Sequence, residues 1–140
     1  MTDLAPLLAS TGTMIAVVGA TDTPGKYGGI IYRDLKSRGY RVLAVNPKRD
    51  LVDGDHSYPH LNALPSRPDI IDLVVPPPVG LQVAVEAVTL GYGNFWLQPG
   101  AESRELIAYL EKHDVPYLAD ACIMVSSRQL LRSPYPDSTP

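Results

Sequence analysis

A chain of 140 residues, 45% hydrophobic and 19% charged, has the size and composition of one globular domain, and no apolar run approaches the ~20 residues a membrane helix needs. The lone cysteine, Cys122, excludes an intrachain disulfide and a thiolate cluster for zinc or iron-sulfur ligation. A net charge of -3 with scattered Lys and Arg argues against a nucleic-acid binder, whose phosphate affinity comes from clustered cations.

The start Met1-Thr2-Asp3-Leu4 lacks the basic residues and long apolar core of a signal peptide, so a cytoplasmic protein is expected. Leu4, Leu7 and Leu8 at helical spacing predict a short amphipathic helix over residues 2–10 that packs beside the sheet. Residues 14–18 are apolar without alternation, the pattern of a strand covered on both faces. Tyr27, Ile31 and Leu35 then form a helical stripe closed by Gly39, and residues 41–45 return as a second strand, which completes a βαβ unit.

Residues 48–68 are irregular, with four prolines nearby and a turn over residues 52–55; Ser57 is expected to cap a short helix over residues 58–64. Residues 69–75 read as strand three, stopped by Pro76-Pro77-Pro78. Leu81, Val85 and Val88, with Ala84 and Ala87 alongside, mark a second helix ended by Gly91. Strand four is expected at residues 94–97, a helix at Leu106, Ile107 and Leu110, strand five at residues 115–119 and a last helical stretch at residues 122–131. The alternation predicts an α/β fold: a doubly wound, Rossmann-like parallel sheet of five strands in the order 3-2-1-4-5, with helices on both faces. Residues 1–132 are expected to form one domain and residues 133–140, rich in proline and polar residues, a flexible tail.

In that topology ligands sit at the carboxyl ends of the strands, which carry the chain's most unusual sequences: Gly19-Ala20-Thr21, Asn46-Pro47-Lys48, Val75-Pro76-Pro77 and Gln98-Pro99-Gly100. The first is a phosphate-cradling turn, because small residues let an anion approach the unpaired amides at a helix start. A Gly-x-Gly-x-x-Gly fingerprint is missing, as is an acidic residue after strand two; Lys48 and Arg49 stand there instead. Either they are solvated loop charges, or they suit a ligand with an extra ribose phosphate, which leaves NADP or coenzyme A.

The set Gly19-Ala20-Thr21, Pro24, Lys26, Gly28, Val45-Asn46-Pro47, Tyr58-Pro59, Val74-Val75-Pro76-Pro77, Trp96-Leu97-Gln98-Pro99-Gly100-Ala101 and Cys122-Ile123-Met124 resembles the small stand-alone CoA-binding proteins. That family is similar to the N-terminal domain of the succinyl-CoA synthetase alpha subunit and of the ADP-forming acyl-CoA synthetases. The resemblance covers residues 14–131 and implies coenzyme A or an acyl-CoA as ligand. By the same resemblance Gly19, Ala20, Thr21, Asp22, Thr23 and Pro24, followed by Lys26, wrap the pyrophosphate, Lys48 meets the nucleotide end, and Val75, Pro76 and Pro77 line the adenine and pantetheine path. Asn46 and Gln98 complete the edge. Where the synthetases have another glycine-rich turn this chain has Asp22-Thr23-Pro24, so the Asp22 carboxylate must point away from a bound phosphate.

The family's catalysis, as the resemblance implies, uses a phosphohistidine domain and a separate nucleotide-binding subunit, neither of which fits in 140 residues. His56, His60 and His113 stand in no triad or metal spacing and are expected in solvent, while Glu102 and Glu105 suit a helix start. Cys122 reads as a small semi-buried side chain or a reactive thiol, and Trp96 as a strand residue holding the third helix or a groove wall. The expected function is therefore a non-catalytic carrier, sensor or partner module, without catalytic or metal-binding residues. A protein partner or homodimer is left open. The alternatives are an NADP-binding oxidoreductase domain and an interaction module that has lost ligand affinity.

Overall fold

In the computed structural model, which describes residues 1–91 and 93–131, the chain opens with a 3-10 helix at Ala5–Ala9 that carries Pro6 in its first turn and buries Leu8. It is shorter and more tightly wound than the lead-in helix expected from the leucine spacing. The tail expected at residues 133–140 lies outside the described residues.

The strands are β1 (Met14–Val18), β2 (Arg41–Val45), β3 (Leu51–Val52), β4 (Asp55–Tyr58), β5 (Ile70–Leu73), β6 (Phe95–Leu97) and β7 (Tyr117–Leu118), and they form one sheet in the order β3-β4-β2-β1-β5-β6-β7. Every pairing is parallel except β3 with β4. The helices are α1 (Tyr27–Ser37), α2 (Pro77–Leu90), α3 (Arg104–Lys112) and α4 (Ile123–Leu131). No helix among the described residues is long and apolar enough to cross a membrane.

The Rossmann-like α/β class stands, but the expected order of the five strands does not. Residues 70–73, expected beyond strand two, pair with β1 on its other side, at Ile15 with Ile70 through Val18 with Leu73. The place beside β2 belongs to β4, in a segment expected to be a turn followed by the Ser57 cap of a helix over residues 58–64; Ser57 instead faces Ala44 across that pair and caps nothing. The cause is a tight hairpin. Asp53 and Gly54 both take positive φ, 50° and 79°, the geometry of a two-residue turn whose twist matches its strands. Counting only the parallel strands, the order becomes 3-2-1-4-5-6, with its switch point between β1 and β5.

Side chains alternate across the sheet and build two cores. Ala16, Val18, Ile71, Leu73, Phe95 and Leu97 face α2 and α3, where Ala84, Ala87, Leu106 and Leu110 meet them. Ile15, Val17, Ile70 and Trp96 face the other way, onto Ile31, Tyr32 and Leu35 of α1, Ile123 of α4 and Leu8. Trp96 therefore braces the α1 and α4 face and not α3; its indole N–H donates to the Ala121 carbonyl at 2.8 Å. Val85, expected to be on the buried stripe of α2, is exposed, because Gly80, Ala84 and Ala87 are the residues that meet the sheet. Tyr27 is likewise 67% exposed, while Tyr32 takes its place inside.

One polar residue breaks the apolar interior. Asp72, paired between Val17 and Trp96 on the central strands, is fully buried, and neither carboxyl oxygen has a hydrogen-bond partner among the described residues. Burial pushes its pKa well above the usual carboxylate range.

Candidate functional site

The carboxyl ends of β1, β2 and β5 and the loop after β6 converge on one edge, and the loop after β1 is its centre. Gly19 closes β1 at φ 98°, and its amide donates to the Val45 carbonyl at 2.9 Å. A Cβ there would strike the Val74 carbonyl oxygen and lie 2.8 Å from Val75 Cγ1, so only glycine lets β1 and β5 approach this closely. Helix α1 packs its first turn on the same loop: a Cβ on Gly28 would collide with the carbonyl of Gly19. The amides of Tyr27 and Gly28, first in the helix, have no acceptor among the described residues and lie at the positive end of its dipole.

The loop is tied down from the β2 side. Asn46 Nδ2 donates to the Ala20 carbonyl at 2.9 Å, while its Oδ1 accepts from the Lys48 amide at 2.9 Å. Arg49 Nη2 donates to Thr23 Oγ1 at 2.6 Å, and Thr21 Oγ1 accepts from the Thr23 amide at 3.2 Å. Asp22 turns outward: its Oδ1 accepts the Asp53 amide at 2.9 Å. The carboxylate thus faces the β3–β4 hairpin.

That hairpin is held on α1 by a small charged cluster. Lys36 Nζ lies 3.1 Å from Asp53 Oδ2 and 2.8 Å from Asp55 Oδ2, and the Tyr32 hydroxyl donates to Asp55 Oδ2 at 2.8 Å. The Lys36 ammonium, followed by the Tyr32 hydroxyl, holds the Asp55 carboxyl below its ordinary range, and burial followed by Asp55 pushes the Tyr32 phenol up. Helix and hairpin are coupled through Lys36, Tyr32, Asp53 and Asp55, and the glycine loop joins them through Asp22.

Two cavities of about 560 Å³ each flank the edge and share Val75. The first lies on the α2 side, between Gly19, Asn46, Lys48, Leu61 and Glu86. Lys48 has no carboxylate within ion-pair distance among the described residues, whereas Glu86 is occupied in accepting the Leu61 and Asn62 amides, both at 3.1 Å. The second lies on the α1 side and runs from Tyr27 and Ile31 past Val75, Pro76 and Pro77 to Gln98 and Cys122. Gln98 is 94% buried by its own bonds: Oε1 accepts the Ile123 amide at 2.9 Å and Nε2 lies 3.6 Å from Cys122 Sγ.

Of the residues singled out from sequence, Gly19, Asn46, Lys48 and Val75 line the first cavity and Val75, Pro76, Pro77 and Gln98 the second. Ala20, Thr21, Asp22, Thr23, Pro24 and Lys26 line neither; they form the loop between, and the side chain of Ala20 is fully buried. Tyr27, Glu86 and Ala101 were missed as lining residues, although the Gln98-Pro99-Gly100-Ala101 run pointed to the last. His56, His60 and His113 are exposed. Among the described residues no group of three or more His, Cys, Asp and Glu is placed to hold a metal ion.

Residues 13–128 match the family model described as a CoA binding domain. The alpha subunit of an ADP-forming acetate–CoA ligase II from Pyrococcus furiosus is 27% identical over 120 residues, which cover 78% of this chain and only 26% of that subunit. A conserved hypothetical protein from Pyrococcus furiosus is 51% identical, with a TM-score of 0.78 over 81% of this chain and 97% of its own. A hypothetical protein from Pyrococcus horikoshii is 27% identical, with a TM-score of 0.82 over 94% of this chain and 93% of its own. With most of its length matched to the family model, the chain belongs to the CoA binding domain family.

Proposed function

We propose that the protein binds coenzyme A or an acyl-CoA across the carboxyl edge of its sheet and serves as a carrier, sensor or partner module without chemistry of its own. The observation that carries this reading is the pair of cavities meeting at Val75 beneath the glycine loop, one lined by the charged Lys48 and Glu86 and the other by uncharged residues alone. Coenzyme A has the matching asymmetry: a phosphorylated nucleotide at one end and a largely apolar pantetheine arm at the other. Its pyrophosphate suits the loop from Gly19 to Lys26 and the free amides of Tyr27 and Gly28. Its ribose phosphate suits Lys48, and its arm crosses Val75 toward Pro76 and Gln98. The non-catalytic role rests on the residues at hand: Cys122 contacts Gln98 and no base, and the exposed His60 shares the first cavity with a Glu86 already engaged by backbone amides.

Calorimetric titration with CoA, dephospho-CoA and NADPH tests the reading. CoA is expected to bind, NADPH weakly or not at all, and Lys48→Ala to weaken CoA by about tenfold while leaving dephospho-CoA nearly unchanged, since a hydrogen bond to a charged group contributes about 1.5–3 kcal/mol before solvent screening. Absence of heat with every CoA species would refute it, leaving an interaction module. Tighter binding of NADPH than of CoA would favour the dinucleotide alternative.

A further inference from the structure

Resting on that reading, we infer that the second cavity receives the acyl group of an acyl-CoA and that it selects uncharged acyl groups over those ending in a carboxylate. The walls supply the reason. None of the residues lining this cavity carries a charge, whereas Lys48 and Glu86 both line the first. Its floor is Gln98, already bonded to Ile123 and facing Cys122, and its rim is the exposed ring of Tyr27.

The helix starts differ in the same sense. At α1 the leading amides are free, but at α2 the first two helical positions are Pro77 and Pro78, which have no amide hydrogen. The next two donors, Val79 and Gly80, both donate to the Pro76 carbonyl, at 3.0 and 3.1 Å. The α2 start that borders the second cavity therefore offers an anion no N–H group, although such positions commonly bind anions. With the free α1 amides taken by the pyrophosphate, a carboxylate entering here loses hydration and meets no opposite charge, while a methyl group in the same place gains apolar contact with Ile31, Val74 and Ala101. Gln98 Nε2 carries two hydrogens, of which one is directed to Cys122, which leaves one for the thioester carbonyl and none for a terminal carboxylate.

Butyryl-CoA and succinyl-CoA share a carbon skeleton and differ in a terminal methyl against a terminal carboxylate, which makes them the probes. Titration of the full chain is expected to give butyryl-CoA about tenfold tighter than succinyl-CoA and several-fold tighter than free CoA. Tyr27→Arg, a change at an exposed rim position that the fold tolerates, is expected to shift the butyryl-to-succinyl ratio toward succinyl-CoA by about fivefold. Equal affinities for the two thioesters, or free CoA bound as tightly as butyryl-CoA, would overturn the inference while leaving CoA binding intact. Failure of free CoA itself to bind would remove the functional reading and this inference with it. An unchanged ratio in Tyr27→Arg would place the acyl group outside this cavity.

Discussion

Replacing Asp72 with asparagine removes an ionisable group from the middle of β5 while keeping its shape. The carboxyl is sealed beside Val17 and Trp96 with neither oxygen bonded among the described residues, and burial alone raises its pKa. The folded chain therefore keeps a proton that the unfolded chain, titrating near ~3.9, gives up. Because the folded pKa is the higher one, the stability present below the unfolded value is lost as pH rises toward the folded value, at about 1.4 kcal/mol per pH unit. Each pH unit between the unfolded value and the folded one therefore removes a sizeable part of the ~5–15 kcal/mol that holds a domain together. The amide of Asp72→Asn is equally unsatisfied but does not titrate. The variant is expected to match the parent within about 1 kcal/mol near pH 4 and to gain on it as pH rises, by up to about 1.4 kcal/mol per pH unit until the folded carboxyl ionises. Urea denaturation at a series of pH values, followed by the fluorescence of the single tryptophan, Trp96, reads the difference directly. A gap between the two proteins that stays constant with pH would refute the reasoning, since it would mean that Asp72 is already ionised and solvated in the fold.

Gly28→Ala places a methyl group against the Gly19 carbonyl, 2.8 Å from its carbon, so α1 must back away from the loop. A loss of about 1–3 kcal/mol in denaturant unfolding is expected, together with weaker CoA binding in calorimetry; full affinity in the variant would show that the close helix-to-loop contact is dispensable. At Asp22 two substitutions separate charge from hydrogen bonding. Asp22→Ala is expected to cost about 0.5–1.5 kcal/mol by freeing the Asp53 amide, whereas Asp22→Asn keeps an acceptor and most of the stability. Equal losses in urea titrations would assign the role of Asp22 to its charge.

The parts of the molecule that were legible early are those with local signals. The apolar run of β1, the stripe of Ile31 and Leu35, and Gly91, which ends α2 in the left-handed conformation at φ 77°, all read correctly because burial on both faces, helical period and glycine geometry are properties of short segments. The β3–β4 hairpin was legible only as a turn. Its strand Asp55-His56-Ser57-Tyr58 is polar and pairs with β2 over two residues, so neither hydrophobic alternation nor length announces it. Missing that strand put residues 70–73 beside β2, when they lie on the far side of β1. Asp72 left no trace at all, since a carboxylate in an apolar strand looks the same whether it faces solvent or core.

The amino-acid sequence by itself determined the βα alternation, the glycine turn after β1 and the chemistry gathered at four strand ends, because each depends on residues adjacent in the chain. Only the tertiary structure decided how those ends are divided. It set Gly19, Asn46 and Lys48 on one side of Val75 and Pro76, Pro77 and Gln98 on the other, and it turned the Asp22 carboxylate toward Asp53. The reason is physical: which side chains share a cavity depends on strand order and on the alternation of faces, and both are set by long-range pairing that leaves no mark on any single segment.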